Sequence, residues 1–204
     1  MNSMFYRSSS IKSLDLSYFD TSLVVTMNKM FDFCFSIEKL DLSNFNTSNV
    51  IDMSYMLAAC PNLISVDLSN FNTKNVENFG NMFYGDESLI GVDFSSFDTS
   101  NLVEFRYMFY GCSSLTSLDL SYFNTSNITN FIGIFDYCSN LRYIDITNFS
   151  SQSYIKDKIY IFPGIIPNGT IYYNSKLFDK ELIDTIFKDW EKIDVNSYKD
   201  LLNY

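Results

Sequence analysis

A repeat of 26 residues runs through most of the chain and limits what it can fold into. Aspartate recurs six times at this spacing, and a phenylalanine follows each aspartate four residues later. The two series are Asp15, Asp41, Asp67, Asp93, Asp119, Asp145 and Phe19, Phe45, Phe71, Phe97, Phe123, Phe149. Six copies in one register without an insertion predict copies of one supersecondary unit stacked on one another.

Each copy has two halves with different apolar spacing. In the first half, the pattern Leu63-x-x-Val66-x-Leu68 with Phe71 after it is that of a leucine-rich-repeat strand. In the second half, apolar residues three or four apart lie as on one face of a helix. In the second copy they are Val50, Met53, Met56, Leu57 and Cys60. The preceding residues 46–48, Asn-Thr-Ser, offer N-caps for such a helix.

These halves predict an α/β fold over residues 1–150. We expect a leucine-rich-repeat solenoid of about six 26-residue rungs, with a parallel sheet on one face and short helices on the other. Residues 1–10 are half a unit, so we expect a fragment or a shortened gene product.

Residues 151–204 leave the repeat and are predicted to cap the solenoid. Residues 159–162 and 170–173 read as short strands, and an amphipathic helix of about 15 residues is expected after them. Its apolar face would consist of Phe178, Leu182, Ile183, Ile186, Phe187, Trp190 and Ile193. The alternative is that this helix binds a partner.

The repeat units resemble a known family. The units CSSLTSLDLSYFNTSNITNF and CPNLISVDLSNFNTKNVENFGNMF are similar to the BspA-like branch of leucine-rich-repeat surface proteins, in particular the Mycoplasma lipoprotein-type repeat, over residues 4–150. The resemblance implies a solenoid on a cell-surface or secreted protein, with adhesion or partner binding as its role. The chain departs from that pattern because its start shows no export signal or lipid-attachment cysteine. Cytoplasmic is therefore the alternative location.

The repeated aspartates are the main candidates for partner binding. Side chains alternate between the faces of a strand, so the aspartates and the residues two positions on should form two rows on the open face. The second row is Ser17, Ser43, Ser69, Ser95, Ser121 and Thr147. Two like charges about 5 Å apart repel by roughly 0.8 kcal/mol in water and about 3 kcal/mol at an effective dielectric constant of 20.

Three arrangements would relieve this repulsion: hydrogen bonds from serine hydroxyls and backbone groups, protonation of some carboxyls, or a cation or basic partner on the row. The row is thus a structural ladder, a docking strip or, with less support, a calcium site. Variable residues beside the row would add specificity. The candidate partner-binding residues are Asp41, Asp67, Asp93, Asp119, Ser43, Ser69, Ser95, Ser121, Lys39 and Tyr143.

Four cysteines share one repeat position: Cys34, Cys60, Cys112 and Cys138. We expect buried apolar side chains there, with a Cys34–Cys60 or Cys112–Cys138 disulfide as the alternative. Asp86 takes the cysteine position of the remaining copy, and it is expected to face water or to mark a locally opened rung.

Composition excludes several classes of function. The chain has no histidine, which removes Ser-His-Asp catalysis and histidine-ligated metals. Its net charge of −10 argues against nucleic acid, and it has no apolar run long enough to insert into a membrane.

We expect a non-enzymatic, adhesin-like protein–protein interaction module without cofactor or metal. Its partner would be a host or cell-surface protein, with basic proteins among the candidates. The alternatives are an intracellular leucine-rich-repeat scaffold or recognition subunit and a fragment of a structural stalk.

Overall fold

The computed structural model describes residues 1–128, 131–150 and 167–197. It contains a four-stranded parallel sheet in the order β1-β2-β3-β4. The strands are β1 Ser117–Asp119, β2 Tyr143–Asp145, β3 Thr170–Tyr173 and β4 Glu191–Asp194, and the helix α1 Lys180–Ile186 connects β3 to β4. The protein therefore has an α/β fold with a parallel sheet.

The register of the sheet aligns equivalent residues of the repeat. Leu118 lies beside Ile144 of the next copy, and Ile171 of the C-terminal segment, which is outside the repeat, lies on the other side of Ile144. All three are buried. In β1 the residues flanking Leu118 are exposed, so side chains alternate between core and solvent as the sequence predicts. Asp119 consequently lies opposite Asp145 on the exposed side.

The second halves of the copies are joined by a ladder of backbone hydrogen bonds. The N–H groups of Met27, Lys29 and Phe31 donate to the carbonyls of Asp52, Ser54 and Met56 at 2.9, 3.0 and 2.9 Å. The same alternate-residue pattern joins Met53 to Asn78 and Phe79 to Glu104, at 3.0 Å each. These N–H groups point along the row of copies.

The short helices expected in these second halves are therefore a wrong prediction. Residues 1–128 and 131–150 contain no α-helix. Instead of i→i−4 bonds, the backbone makes successive four-residue turns with i→i−3 bonds, such as Met30 N–H to Met27 C=O and Met56 N–H to Met53 C=O, both 3.1 Å. Turns closing every three residues bury one side of the segment, which reproduces the apolar spacing of a helix face.

Threonine hydroxyls connect the copies at the position expected to cap those helices. The Thr73 hydroxyl donates to the carbonyl of Asp98 at 2.9 Å and accepts from the N–H of Asp98 at 2.8 Å. Thr47 makes the same pair of bonds to Asn72, at 3.1 and 2.8 Å. The predicted N-caps thus bridge consecutive copies, because no helix is present to receive them.

The core runs through the repeats and is rich in phenylalanine. The rings of Phe83 and Phe109 stack with centroids 5.7 Å apart, and Phe94 meets Phe123 edge-on at 5.3 Å. The apolar strand positions predicted to point inward are buried in the later copies, for example Leu115 and Leu141. The equivalent residue of the first copy, Ile11, is only partly buried.

The C-terminal segment continues the sheet. The strand predicted over residues 170–173 is confirmed as β3, and the Ile146 N–H donates to the Tyr172 carbonyl at 2.9 Å. The predicted strand over residues 159–162 lies outside the described residues.

The helix of about 15 residues expected after β3 is wrong in length. Helix α1 has 7 residues and begins at its N-cap Asp179, whose side chain accepts from the N–H groups of Glu181 and Leu182. It ends at Ile186, and the chain then enters β4. Most of the predicted apolar face is nevertheless buried: Phe178, Leu182, Ile183, Phe187 and Trp190. Burial on one side thus continues past the last helical residue.

In the described part of the chain, no helix is long and apolar enough to cross a bilayer.

Candidate functional site

The six repeat aspartates, which we call the aspartate row, lie along one side of the repeats. The first five are exposed and Asp145 is partly buried. Between the last two members the parallel register places Asp119 directly opposite Asp145. Neighbouring strands in a sheet are about 4.8 Å apart, so the register itself brings like charges together.

Each aspartate of the row is held by a short turn. One carboxylate oxygen accepts the backbone N–H two residues further on, the arrangement of an Asx turn. The donors are Ser17, Ser43, Ser69, Ser95, Ser121 and Thr147, at 2.8 to 3.0 Å. The predicted backbone hydrogen bonds to the row are therefore confirmed.

These hydrogen bonds keep most of the row ionised. The N–H and hydroxyl of Ser69 hold the pKa of Asp67 below its ordinary value, and Ser95 does the same for Asp93. For Asp15 and Asp41 the serine hydroxyl is the larger cause of a lowered pKa and the N–H is the smaller. Protonation is thus not how these four carboxyls relieve their repulsion.

Asp145 differs from the others. It is partly buried, and desolvation raises its pKa despite the hydrogen bonds from Thr147. The row is therefore most acidic over the earlier copies.

A second row of turns offers an internal comparison. Asp20, Asn46, Asn72, Asp98 and Asn124, which we call the mixed row, also recur every 26 residues. Each accepts the N–H two residues on, at 2.9 to 3.2 Å. Asparagine and aspartate therefore support the same turn in this protein.

The other candidate residues surround the row. Lys39 is exposed two positions before Asp41, and the exposed Tyr143 lies in β2 two positions before Asp145. The ring of Tyr143 lies 5.3 Å from that of Tyr172 in β3. Ser43, Ser69 and Ser95 are exposed, whereas Ser121 is partly buried. The structure thus brings the predicted residues to one side of the repeats.

The cysteines are buried and free, as predicted. The thiol of Cys60 donates to the carbonyl of Phe31 at 3.3 Å, and Cys112 donates to Phe83 at 3.1 Å. Burial raises the pKa of the Cys34 thiol to about 11 and that of Cys138 to about 12. These thiols are structural rather than reactive.

The expectation that Asp86 faces water or marks a locally opened rung is wrong. It has no solvent exposure and takes the cysteine position in the core. Burial raises its pKa well above the ordinary value of an aspartate. The sequence contained the signal for this burial, because the four cysteines at the same repeat position were themselves expected to be buried.

A group of tyrosines in the second halves of the copies was missed from the sequence. Tyr84 and Tyr110 lie one repeat apart, and so do Asn81 and Tyr107 beside them. The sequence signal that could have revealed this group is the recurrence of an aromatic residue at one repeat position in adjacent copies. Within the described residues, no group of His, Cys, Asp or Glu could hold a metal ion.

Comparison with known proteins gives one family. The model of the family described as "Mycoplasma protein of unknown function, DUF285" matches residues 1–89 and 62–164. No curated protein and no solved structure matches the chain. The two matched ranges together include every copy of the repeat, so the chain belongs to the family described as Mycoplasma protein of unknown function, DUF285.

Proposed function

We propose that this protein is a non-enzymatic interaction module that binds a basic protein partner along the aspartate row. The observation that carries the proposal is a line of exposed, ionised carboxylates at 26-residue intervals, held in one orientation by Asx turns. In the proposal, the repeats form a leucine-rich-repeat solenoid of six rungs, in which the second half of each copy is built from turns instead of a helix. The cross-copy hydrogen bonds support this arrangement.

The charge of the row supports binding more than it supports folding. If the first row served only to make turns, asparagine would serve equally well, as it does at Asn46 and Asn72 in the mixed row. All six positions of the first row are nevertheless aspartate. Their mutual repulsion is a cost to folding, since the charge of Asp41 opposes ionisation of Asp67 and the charge of Asp67 opposes ionisation of Asp93.

A basic partner would relieve this repulsion. Within the described residues, no ion pair joins the row to a lysine or arginine of the chain. Residues 1–150 carry 7 basic and 16 acidic side chains, so the net charge of −9 resides mainly in the repeats. A row of fixed negative charge attracts and orients a positively charged surface.

Two further parts of the proposal rest on other support. A cell-surface or secreted, adhesin-like setting is supported by the resemblance of the repeats to BspA-like surface proteins. A non-catalytic role is supported by the similar surroundings of Asp41, Asp67 and Asp93, because acid–base catalysis needs carboxyls in different environments.

The test uses charge removal with a matched control. The variant Asp67→Asn/Asp93→Asn removes two charges from the aspartate row and keeps both turns. The control Asp20→Asn/Asp98→Asn removes the same number of charges from the mixed row. Binding of a lysine-rich 20-residue peptide is measured by isothermal titration calorimetry at low and high salt.

The proposal expects the first variant to bind roughly five-fold more weakly than the wild type at low salt, since each exposed pair contributes about 0.2–1 kcal/mol. The control should bind like the wild type, and the two variants should melt alike, because the same turn hydrogen bonds lower the pKa of all four carboxyls. An equal loss of binding in the two variants, or no loss in either, would contradict the proposal.

A further inference from the structure

The tyrosines of the second halves line a groove of about 560 Å³. Five of the lining residues are tyrosines, and Asp136 adds a carboxylate: Tyr55, Tyr84, Tyr107, Tyr110, Tyr137 and Asp136. A volume of this size is typical of sites that take a small molecule or a few side chains. The groove uses residues of the second half of each copy and contains none of the aspartate row.

The tyrosine rings form a continuous aromatic wall. Tyr84 and Tyr110 stack in parallel with centroids 4.6 Å apart, and Tyr137 follows Tyr110 at 5.0 Å. Tyr107 meets Tyr110 edge-on at 5.9 Å. The wall is open to solvent, since Tyr84 is 37% exposed and Tyr137 is 67% exposed.

Glycines make room for this wall. Gly133 has a φ of +65°, and a Cβ at that position would collide with the ring of Tyr107. Gly85 and Gly111 follow directly after Tyr84 and Tyr110, with φ of +74° and +77°. These backbone conformations favour glycine, and the chain beside the stacked rings carries no side chain at these two positions.

Asp136 supplies an unsatisfied acceptor. Its Oδ1 atom is buried and has no hydrogen-bond partner. Within the part of the chain that the structure describes, no cation lies close enough to pair with this carboxylate. Desolvation raises the pKa of Asp136 to about 6, and a cation beside it would oppose that change.

The N-terminal part of the same face has a comparable carboxylate, whose Oδ1 atom is also buried without a hydrogen-bond partner but which has cations nearby. Asp32 lies at the repeat position of Asp136, four repeats earlier. Burial raises the pKa of Asp32 to about 6, and the charges of Lys29 and Arg7 oppose this rise without reversing it. Both cations also lie over tyrosine rings, with Arg7 Cζ 5.1 Å from the Tyr6 centroid and Lys29 Nζ 5.1 Å from the Tyr55 centroid.

The Asp136 site therefore has the carboxylate and the tyrosines of the Asp32 site but lacks its cations. Four repeats on, the residues that correspond to Lys29 and Arg7 are Gly133 and Gly111, and Tyr110 corresponds to Tyr6. Aromatic faces next to a carboxylate attract a cation from outside the chain.

We propose that the tyrosine groove binds an arginine side chain of a partner protein, with its guanidinium against the tyrosine rings and its N–H groups donating to Asp136. A guanidinium is planar and stacks on aromatic rings, and it also donates hydrogen bonds to a carboxylate. A quaternary ammonium would be attracted to the rings but has no N–H group to donate to Asp136. The site is independent of the aspartate row and stands whether or not that row binds a partner.

The test uses the full chain and three short probes. Acetyl-Gly-Arg-Gly-amide is the ligand, the same peptide with citrulline in place of arginine is its neutral isostere, and choline is a cation without N–H donors. Binding is followed by two-dimensional NMR of protein labelled at the tyrosine rings. We expect the arginine peptide to shift the signals of Tyr84, Tyr110 and Tyr137 and to bind about tenfold more tightly than either other probe.

Single substitutions test the contributions of the carboxylate and of the tyrosine rings to binding separately. Asp136→Asn keeps the shape of the side chain and should weaken the arginine peptide about tenfold. Tyr110→Leu removes a ring face and should also weaken binding, whereas Tyr110→Phe keeps the ring and should bind like the wild type. Asp189→Asn, an exposed carboxyl of the C-terminal segment that belongs to neither the groove nor the aspartate row, should leave binding unchanged.

Equal binding of the citrulline or choline probe would overturn the proposal, as would wild-type affinity in Asp136→Asn. If Tyr110→Leu fails to fold, Asp136→Asn and Tyr110→Phe decide the matter. Shifts confined to signals outside the groove would also contradict the assignment.

Discussion

The backbone N–H of Cys60 donates to Oδ1 of Asp86 at 2.8 Å, and Oδ2 of the same carboxyl has no hydrogen-bond partner. This pair lies in the core, where an ionised carboxylate is poorly solvated. Asp86 therefore lowers the stability of the fold at a repeat position that four other copies fill with cysteine.

Replacing Asp86 with cysteine should stabilise the protein. The variant Asp86→Cys restores the residue of the other copies and removes a half-satisfied buried acid. The Cys60 N–H would then be free to donate within its own turn, as Cys112 does to Phe109 at 3.1 Å. We expect a gain of about 1–3 kcal/mol at pH 7 by urea unfolding. Asp86→Asn, which keeps the acceptor for Cys60, is the matched control, and a less stable Asp86→Cys would contradict this account.

Stability should fall as the pH rises from about 4 through 6. Burial raises the pKa of Asp32 and of Asp136 to about 6, whereas an unfolded aspartate titrates near 4. Between these values the unfolded chain loses protons that the folded chain retains, so ionisation favours unfolding. Asp136→Asn should reduce the slope of unfolding free energy against pH in this window. Asp67→Asn should not, because the pKa of Asp67 is lowered.

Below pH 4 the direction reverses. The lowered pKa values of Asp15, Asp41, Asp67 and Asp93 mean that their contribution is present above the unfolded value and is lost as the pH falls through the folded one. Urea unfolding from pH 2 to 8 should therefore show a maximum of stability near pH 4. A curve that rises steadily up to pH 7 would be inconsistent with the raised pKa values of Asp32 and Asp136, and a curve with no loss below pH 4 would be inconsistent with the lowered ones.

The hydroxyl of a threonine that bridges two copies should contribute measurably to the free energy of unfolding. Thr73→Val keeps the shape of the side chain but leaves both the N–H and the carbonyl of Asp98 without this partner. We expect a loss of about 1–3 kcal/mol in the free energy of unfolding. Thr73→Ser retains the hydroxyl and should lose less. The idea of a cross-copy bridge fails if the two variants are equally stable.

Two glycines should respond differently to the same substitution. Gly133→Ala forces a Cβ into the ring of Tyr107 at a φ of +65°, so we expect a loss of at least about 1–2 kcal/mol. A Cβ at Gly91 would meet nothing within 4 Å, and Gly91→Ala should be close to neutral. Thermal unfolding of both variants checks the pair, and similar melting temperatures would argue against the placement of Tyr107.

The repeat made the first half of each copy predictable from sequence. Alternation around Leu118 gave the buried and exposed sides of the strand, and the 26-residue spacing gave the alignment of Asp119 with Asp145. The helix predicted for the second half is absent because Met53 and Met56 are buried by four-residue turns, whose apolar spacing is the same as that of a helix face. A helix and a series of turns differ in the direction of their backbone N–H groups. The spacing of apolar residues carries no information on that direction.

The tyrosine groove was harder to foresee for a different reason. It depends on Gly133 leaving space for Tyr107 and on side chains from several copies meeting at one place. Single positions such as Tyr137 look like ordinary exposed aromatics until the copies are placed side by side.

The most direct test of the whole account is the spacing between copies, measured by electron paramagnetic resonance. Spin labels are attached to cysteines introduced at Ser17 and Ser69 in one variant and at Ser17 and Ser121 in another. The four native cysteines are buried and should not be labelled. Because each copy adds about 4.8 Å, the second distance should exceed the first by about 10 Å. Two equal distances, or a shorter one to Ser121, would contradict the stacking of the copies.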